Sequence, residues 1–130
     1  MTYNLEKFLK GLEELQIELS ENQIQQFIKY YEMLVEKNKV MNLTAITEFD
    51  EVIEKHFLDS LSLIKVYDLT KEVSVMDMGT GAGFPGIPLK IVFPNPEFLL
   101  LDSLNKRIRF LQEVIEKCRF EKISAVHGRA

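Results

Sequence analysis

The chain has 130 residues, 46% of them apolar and 28% charged, with a formal net charge of −4. That length suits one compact unit or two small ones, excludes a large multidomain assembly within these residues, and allows roughly two-thirds of the unfolded surface to be buried without a disulfide or metal staple. The mild acidity makes no global case for nucleic-acid binding, and the lack of an apolar run of about 18 residues excludes a membrane-spanning helix.

The first residues, MTYNLEKFLKGLEEL, carry charge throughout, which predicts no secretory leader. A single cysteine, Cys118, has no partner for an internal bridge and points to a reducing, cytoplasmic setting. Charge and punctuation divide the chain. Residues 1–70 carry 7 Lys and no Arg against 13 acids, a charge of −6, whereas residues 71–130 carry 9 basic residues against 7 acids, a charge of +2. One glycine, Gly11, falls in the first part and five fall in the second, and all four prolines lie between Pro85 and Pro96. Two architectures joined near Thr70–Val73 are predicted: a helical unit over 1–70 and an αβ unit over 71–130.

In the first part, Leu5, Phe8, Leu9, Leu12 and Leu15 recur at three- and four-residue steps and predict one helical face. Ser20-Glu21-Asn22-Gln23 has the form of a capping box, Ser20 as N-cap and Gln23 three residues on. Ile24, Phe27, Ile28, Tyr31, Leu34 and Val35 then stripe a second helix. A third is predicted after Thr47, with Val52, Ile53, Phe57, Leu61 and Ile64 facing inward.

The second part changes period. Val73 to Asp77 is short, β-branched and followed by glycines, as a strand is. Pro85 to Val92 reads as a helix, because prolines at 85 and 88 fit a first turn whose N–H groups lack intrahelical partners. Glu97 to Leu101 is a second apolar strand. Leu104, Ile108, Leu111, Ile115 and Cys118 stripe a further helix with a Glu113–Lys117 pair on its outer face. Ile123 to Val126 is a third strand. The order β-α-β-α-β predicts an α/β fold with a parallel sheet and right-handed crossovers.

The loop after the first strand carries the chemistry. Asp77-Met78-Gly79-Thr80-Gly81-Ala82-Gly83-Phe84-Pro85-Gly86 follows a strand, opens a helix and sits in a βαβ unit. Its glycines let the backbone turn sharply and let a ligand approach the main chain. Asp102 ends the next strand, 19 residues after Gly83, where a carboxylate can accept both hydroxyl hydrogens of a ribose. The alternative is that the glycines only tighten a turn and Asp102 caps the helix beginning at Ser103 or Leu104. Gly81-x-Gly83-x-x-Gly86 also satisfies the dinucleotide pattern, which leaves an NAD-dependent oxidoreductase open. Asp77 favours a different ligand: an acid at the strand end repels a pyrophosphate but suits the ammonium and sulfonium of S-adenosylmethionine. A P-loop is excluded, since no Lys-Ser or Lys-Thr follows the glycines.

Asn42-Leu-Thr-Ala-Ile, His56-Phe-Leu-Asp59-Ser60-Leu, DMGTGAGFPGIPL, LLLDSLNKRIRFL and Val126-His-Gly-Arg-Ala130 occur in that order. Together they closely resemble the bacterial small-subunit ribosomal RNA methyltransferase G family, once called glucose-inhibited division protein B, over essentially the whole chain. The resemblance implies a Rossmann-like methyltransferase fold preceded by a helical cap. It implies methyl transfer from S-adenosylmethionine to N7 of a guanine in 16S ribosomal RNA, free or in an assembling small subunit. It also implies that Gly79, Phe84 and Ala130 lie in the cofactor site and that Asp102 is the ribose-binding acid. In the family an acidic residue and roughly half of the catalytic domain follow the position of Ala130. An open sheet edge at the first strand is therefore expected, and the 130 residues alone are expected to bind cofactor weakly and to be inactive.

The expected cofactor residues are thus Asp77, Gly79, Gly81, Gly83, Phe84, Asp102 and Ala130. Lys106, Arg107 and Arg129 are candidates for phosphate contact, though a cluster such as Lys106, Arg107 and Arg109 also reads as a solvated helix face. His56 and Asp59 share a face of the third helix, either as packing between the two parts or as a pocket lining. No catalytic acid or base and no metal ligands are assigned. The protein is expected to act as a monomer. A non-catalytic nucleotide-binding module is the other reading left open.

Overall fold

The computed structural model describes residues 3–65, 68–70 and 73–128. Arg129 and Ala130, expected in phosphate and cofactor contact, lie outside the described residues.

Helix α1 (Glu6–Glu14) buries Phe8 and Leu12. Leu9, expected on that face, is 47% exposed, because Phe8 and Leu12, one turn apart, already define the inward line. Helix α2 (Glu21–Asn38) starts at the expected capping box: Ser20 Oγ accepts from Gln23 N and Gln23 Oε1 accepts from Ser20 N. The Gln23 amide also donates to Ile91 O at 2.9 Å, so the cap that starts α2 ties it to a distant segment.

Next come α3 (Phe49–Val52), a π-helical stretch (Ile53–Leu58), α4 (Asp59–Leu61) and a 3-10 turn (Ser62–Lys65), without a break. Ile53, Phe57 and Leu61 recur at four-residue steps and are all buried. That spacing keeps the three on one apolar face of the helix, and the part of it that holds His56 is wound as a π turn.

Three strands, β1 (Ser74–Met78), β2 (Glu97–Asp102) and β3 (Ile123–His127), form a parallel sheet in the order β1-β2-β3, so β1 lies at an edge. Helix α5 (Gly86–Val92) joins β1 to β2, and α6 (Asn105–Lys117) joins β2 to β3. Register places Val75, Phe98 and Ile123 in one cross-strand row and Asp77, Leu100 and Ala125 in the next, on the covered face. α2 packs on both crossover helices, and one apolar cluster runs from Phe8 through Tyr30 and Phe57 to Leu100 and Val114. In α6 the buried set is Ile108, Phe110, Leu111 and Val114, while Leu104 is half exposed. Glu113 meets Lys37 of α2 at 3.9 Å instead of Lys117.

Among the described residues, Lys90 is the one cation that the fold buries. Only 2% of it is exposed, and its ammonium donates to the carbonyls of Pro94, Pro96 and Lys122 at 2.9, 2.8 and 3.2 Å. Three carbonyls from two loops replace its water.

Candidate functional site

The glycine loop leaves the carboxyl end of β1 and folds back across β2: Gly79 N and Thr80 N both donate to Leu101 O. Ligands of open parallel sheets bind at this end of the strands. Gly79 and Gly81 adopt φ of +70° and +59°, where a side chain is strained, and a Cβ on either would meet nothing within 4 Å. The main chain is therefore bare and approachable at these two residues. Gly83 and Gly86 differ. A Cβ on Gly83 would crowd Ile87, Tyr30 and Leu111, and one on Gly86 would collide with Leu100 and Asp77. Their lack of a side chain lets α2, α5 and β2 approach closely. The loop thus separates into an open half, Gly79 to Gly81, and a packed half, Gly83 to Gly86.

Both expected acids flank it. Asp77 Oδ2 accepts from Thr80 Oγ1 at 2.7 Å and from Gly86 N at 3.0 Å. Its Oδ1 takes no hydrogen bond among the described residues. Burial raises the pKa of Asp77 above the usual carboxylate value, the bonds from Thr80 and Gly86 oppose that, and the charge of Asp102 adds to it. Asp102 is 3% exposed, with both oxygens engaged. Oδ2 accepts from Gly81 N at 2.9 Å, and Oδ1 accepts from Leu104 N at 2.9 Å and lies 3.5 Å from Arg107. Burial opposes its ionisation, but the Leu104 and Gly81 N–H groups and the Arg107 charge outweigh that and hold its pKa low. Asp102 does not cap α6, which begins at Asn105 behind an N-cap, Leu104, that offers it no side-chain bond; instead Asp102 fixes the Leu104 N–H just ahead of the helix while gripping the open half of the loop. Each oxygen keeps lone-pair capacity for a ligand hydroxyl.

Arg107 is half-buried and directed at Asp102, whereas Lys106 and Arg109 are exposed on α6. His127 lies 2.9 Å from Ser103 O, beside the same strand ends. The helical residues close the other side. Tyr30 is fully buried and its hydroxyl donates to Ala82 O at 2.5 Å. The His56 ring stacks on Phe84, centroids 4.3 Å apart at 11°.

Sequence reasoning missed Thr80 and Tyr30. Thr80 sits three residues after Asp77, the spacing at which a hydroxyl closes a turn on a carboxylate, so its signal was present. Tyr30 carried a weaker one: a tyrosine beside a helix's apolar stripe must find a hydrogen-bond partner if buried.

A model of the family described as rRNA small subunit methyltransferase G matches residues 23–130. The chain is 59% identical over 123 residues, 95% of its length, to the Ribosomal RNA small subunit methyltransferase G of Lachnoclostridium phytofermentans, covering 51% of that protein. It is 56% identical over 88% of its length to the protein of that name in Staphylococcus saprophyticus, covering 48% of it. With the one from Alkaliphilus metalliredigens it shares 54% identity over 92% of its length, covering 50%. The chain spans about half the length of the curated relatives it matches. An α/β sheet with the expected glycine loop, a match over most of the chain and identities above half place it: the chain belongs to the rRNA small subunit methyltransferase G family.

Proposed function

We propose that these residues form the cofactor-binding half of a cytoplasmic, S-adenosylmethionine-dependent enzyme that methylates N7 of a guanine in 16S ribosomal RNA. The names of the relatives support the reaction class and the RNA. The observation that carries the cofactor is the bare backbone at Gly79 and Gly81 between two carboxylates, one with a free oxygen.

The residues suit this donor. Asp77 Oδ1 would take the ammonium, and the remaining lone pairs of Asp102 the ribose hydroxyls. Gly79 and Gly81 would lie against the donor's flat and charged parts, with Phe84 beside them and Ala130 on the adenine side. Gly83 contributes packing that fixes the loop. When bound, S-adenosylmethionine supplies an electrophilic methyl group on a sulfonium. Guanine N7 has an in-plane lone pair and no proton to lose, so no general base is required. What the protein must provide is alignment of N7 with the methyl group and sulfur. Lys106 and Arg129 would meet RNA phosphates, and Arg107 would sustain the charge of Asp102. Among the described residues, no helix is long and apolar enough to cross a membrane.

Calorimetry of the protein at the full length of its relatives tests the reading, with S-adenosylhomocysteine and NADH as ligands. Binding of the homocysteine compound and not of NADH is expected. Tight binding of NADH alone would make the protein an oxidoreductase instead.

A further inference from the structure

The glycine loop is gripped from the helical part by a pair of stacked rings. His56 lies in the π-helical stretch, and π turns recur where a helix presents a side chain for function. Its ring lies nearly parallel on Phe84, at 4.3 Å and 11°. Its Nε2 is 2.9 Å from Thr44 Oγ1. Thr44 is itself fixed, because Asn38 Oδ1 at the end of α2 accepts from Leu43 N and Thr44 N at 2.8 and 2.9 Å. The imidazole is therefore held in two independent directions: its face by Phe84 and its edge by Thr44. Phe57 and Tyr30 contact Phe84 only at a tilt, with centroids 6.2 and 5.8 Å away. His56 is the one ring in the cluster that lies flat on Phe84.

We propose that His56 is a positioning residue of the cofactor site, setting the plane of the Phe84 ring and so the shape of the loop's mouth. The proposal rests on the reading of this loop as a methyl-donor site. A histidine suits the task because one flat ring both stacks and accepts or donates an in-plane hydrogen bond. A phenylalanine there would stack without the bond, and a glutamine would bond without the stack.

The test is calorimetry with S-adenosylhomocysteine on the protein at its relatives' full length, with thermal melting of each variant. His56→Ala should weaken binding up to about tenfold, the worth of one stacked ring pair. His56→Phe should recover part of that loss, and Thr44→Val, which keeps the stack and drops the bond, should fall between. Val52→Ala in the helical core should lower the melting temperature without changing affinity. Should His56→Ala fail to fold, Thr44→Val carries the test. Wild-type affinity in His56→Ala or Thr44→Val overturns the positioning role and leaves the donor site standing. So does an affinity loss in Val52→Ala that tracks its melting loss. A wild-type protein that binds no S-adenosylhomocysteine overturns the site reading itself, and the role of His56 with it.

Discussion

Asp77, one residue before the end of β1, and Asp102, the last of β2, lie on neighbouring strands, and burial opposes the charge of each, yet their pKa values move in opposite directions. Each accepts two hydrogen bonds from neutral donors, but Asp102 also faces the Arg107 cation, whereas Asp77 faces the charge of Asp102. The linkage for Asp102 follows from its lowered folded pKa. It adds stability above its ordinary value, and that contribution fades as pH falls through the lowered one. Asp102→Asn should cost roughly 1–3 kcal/mol at neutral pH by losing charged hydrogen bonds in a buried site. Urea unfolding of both proteins should show that gap narrowing as pH falls below the ordinary aspartate range. The glycines give a second contrast at this scale. Gly81→Ala meets open space and carries only the φ penalty, about 1–2 kcal/mol, so it should reduce cofactor affinity more than stability. Gly86→Ala drives a Cβ into Leu100 and Asp77 and should mainly destabilise, by roughly 1–3 kcal/mol. Denaturant titration alongside calorimetry separates the two effects.

Helix α2 is the element that connects the two parts. Its first turn is capped by Ser20 and bound to the end of α5 through Gln23, its middle reaches the loop through Tyr30, and its last turn holds Thr44 through Asn38. Ser20→Ala should therefore cost about 1 kcal/mol, the usual worth of an N-cap, read as a lower urea midpoint at unchanged slope. The capping box was legible in the sequence because it is local: four consecutive residues satisfy each other. The alternation of strands and helices was legible for the same reason. Lys90 was not, since its burial depends on carbonyls of Pro94, Pro96 and Lys122 that only the fold assembles. Nor were the exposed Leu9 and Leu104, because periodicity marks a stripe without showing how wide the facing surface is. Within the site, the glycine pattern identified the loop but not its division into an open and a packed half. That division is set by Tyr30, Leu100 and Leu111, which lie far away in sequence.

In the molecule as a whole, the sheet has one face covered by helices and, among the described residues, one bare face. Register puts Met76 beside Leu99, and Leu101 between Met78 and Val126, on the face opposite the helices. Met76, Met78 and Val126 are 57%, 52% and 45% exposed. Parallel sheets are ordinarily covered on both faces, and the curated relatives are about twice as long as this chain. Oxidative footprinting should find Met76 and Met78 reactive in the 130-residue chain and protected in a protein of the relatives' length. Equal reactivity in both would mean that the second half docks elsewhere. The proposed methyl transfer is tested most directly by mass analysis of 16S ribosomal RNA after incubation with the relative-length protein and isotopically labelled S-adenosylmethionine. One labelled methyl group on N7 of a guanine is the predicted result. No label in the RNA, from a protein that binds the donor, would contradict the account.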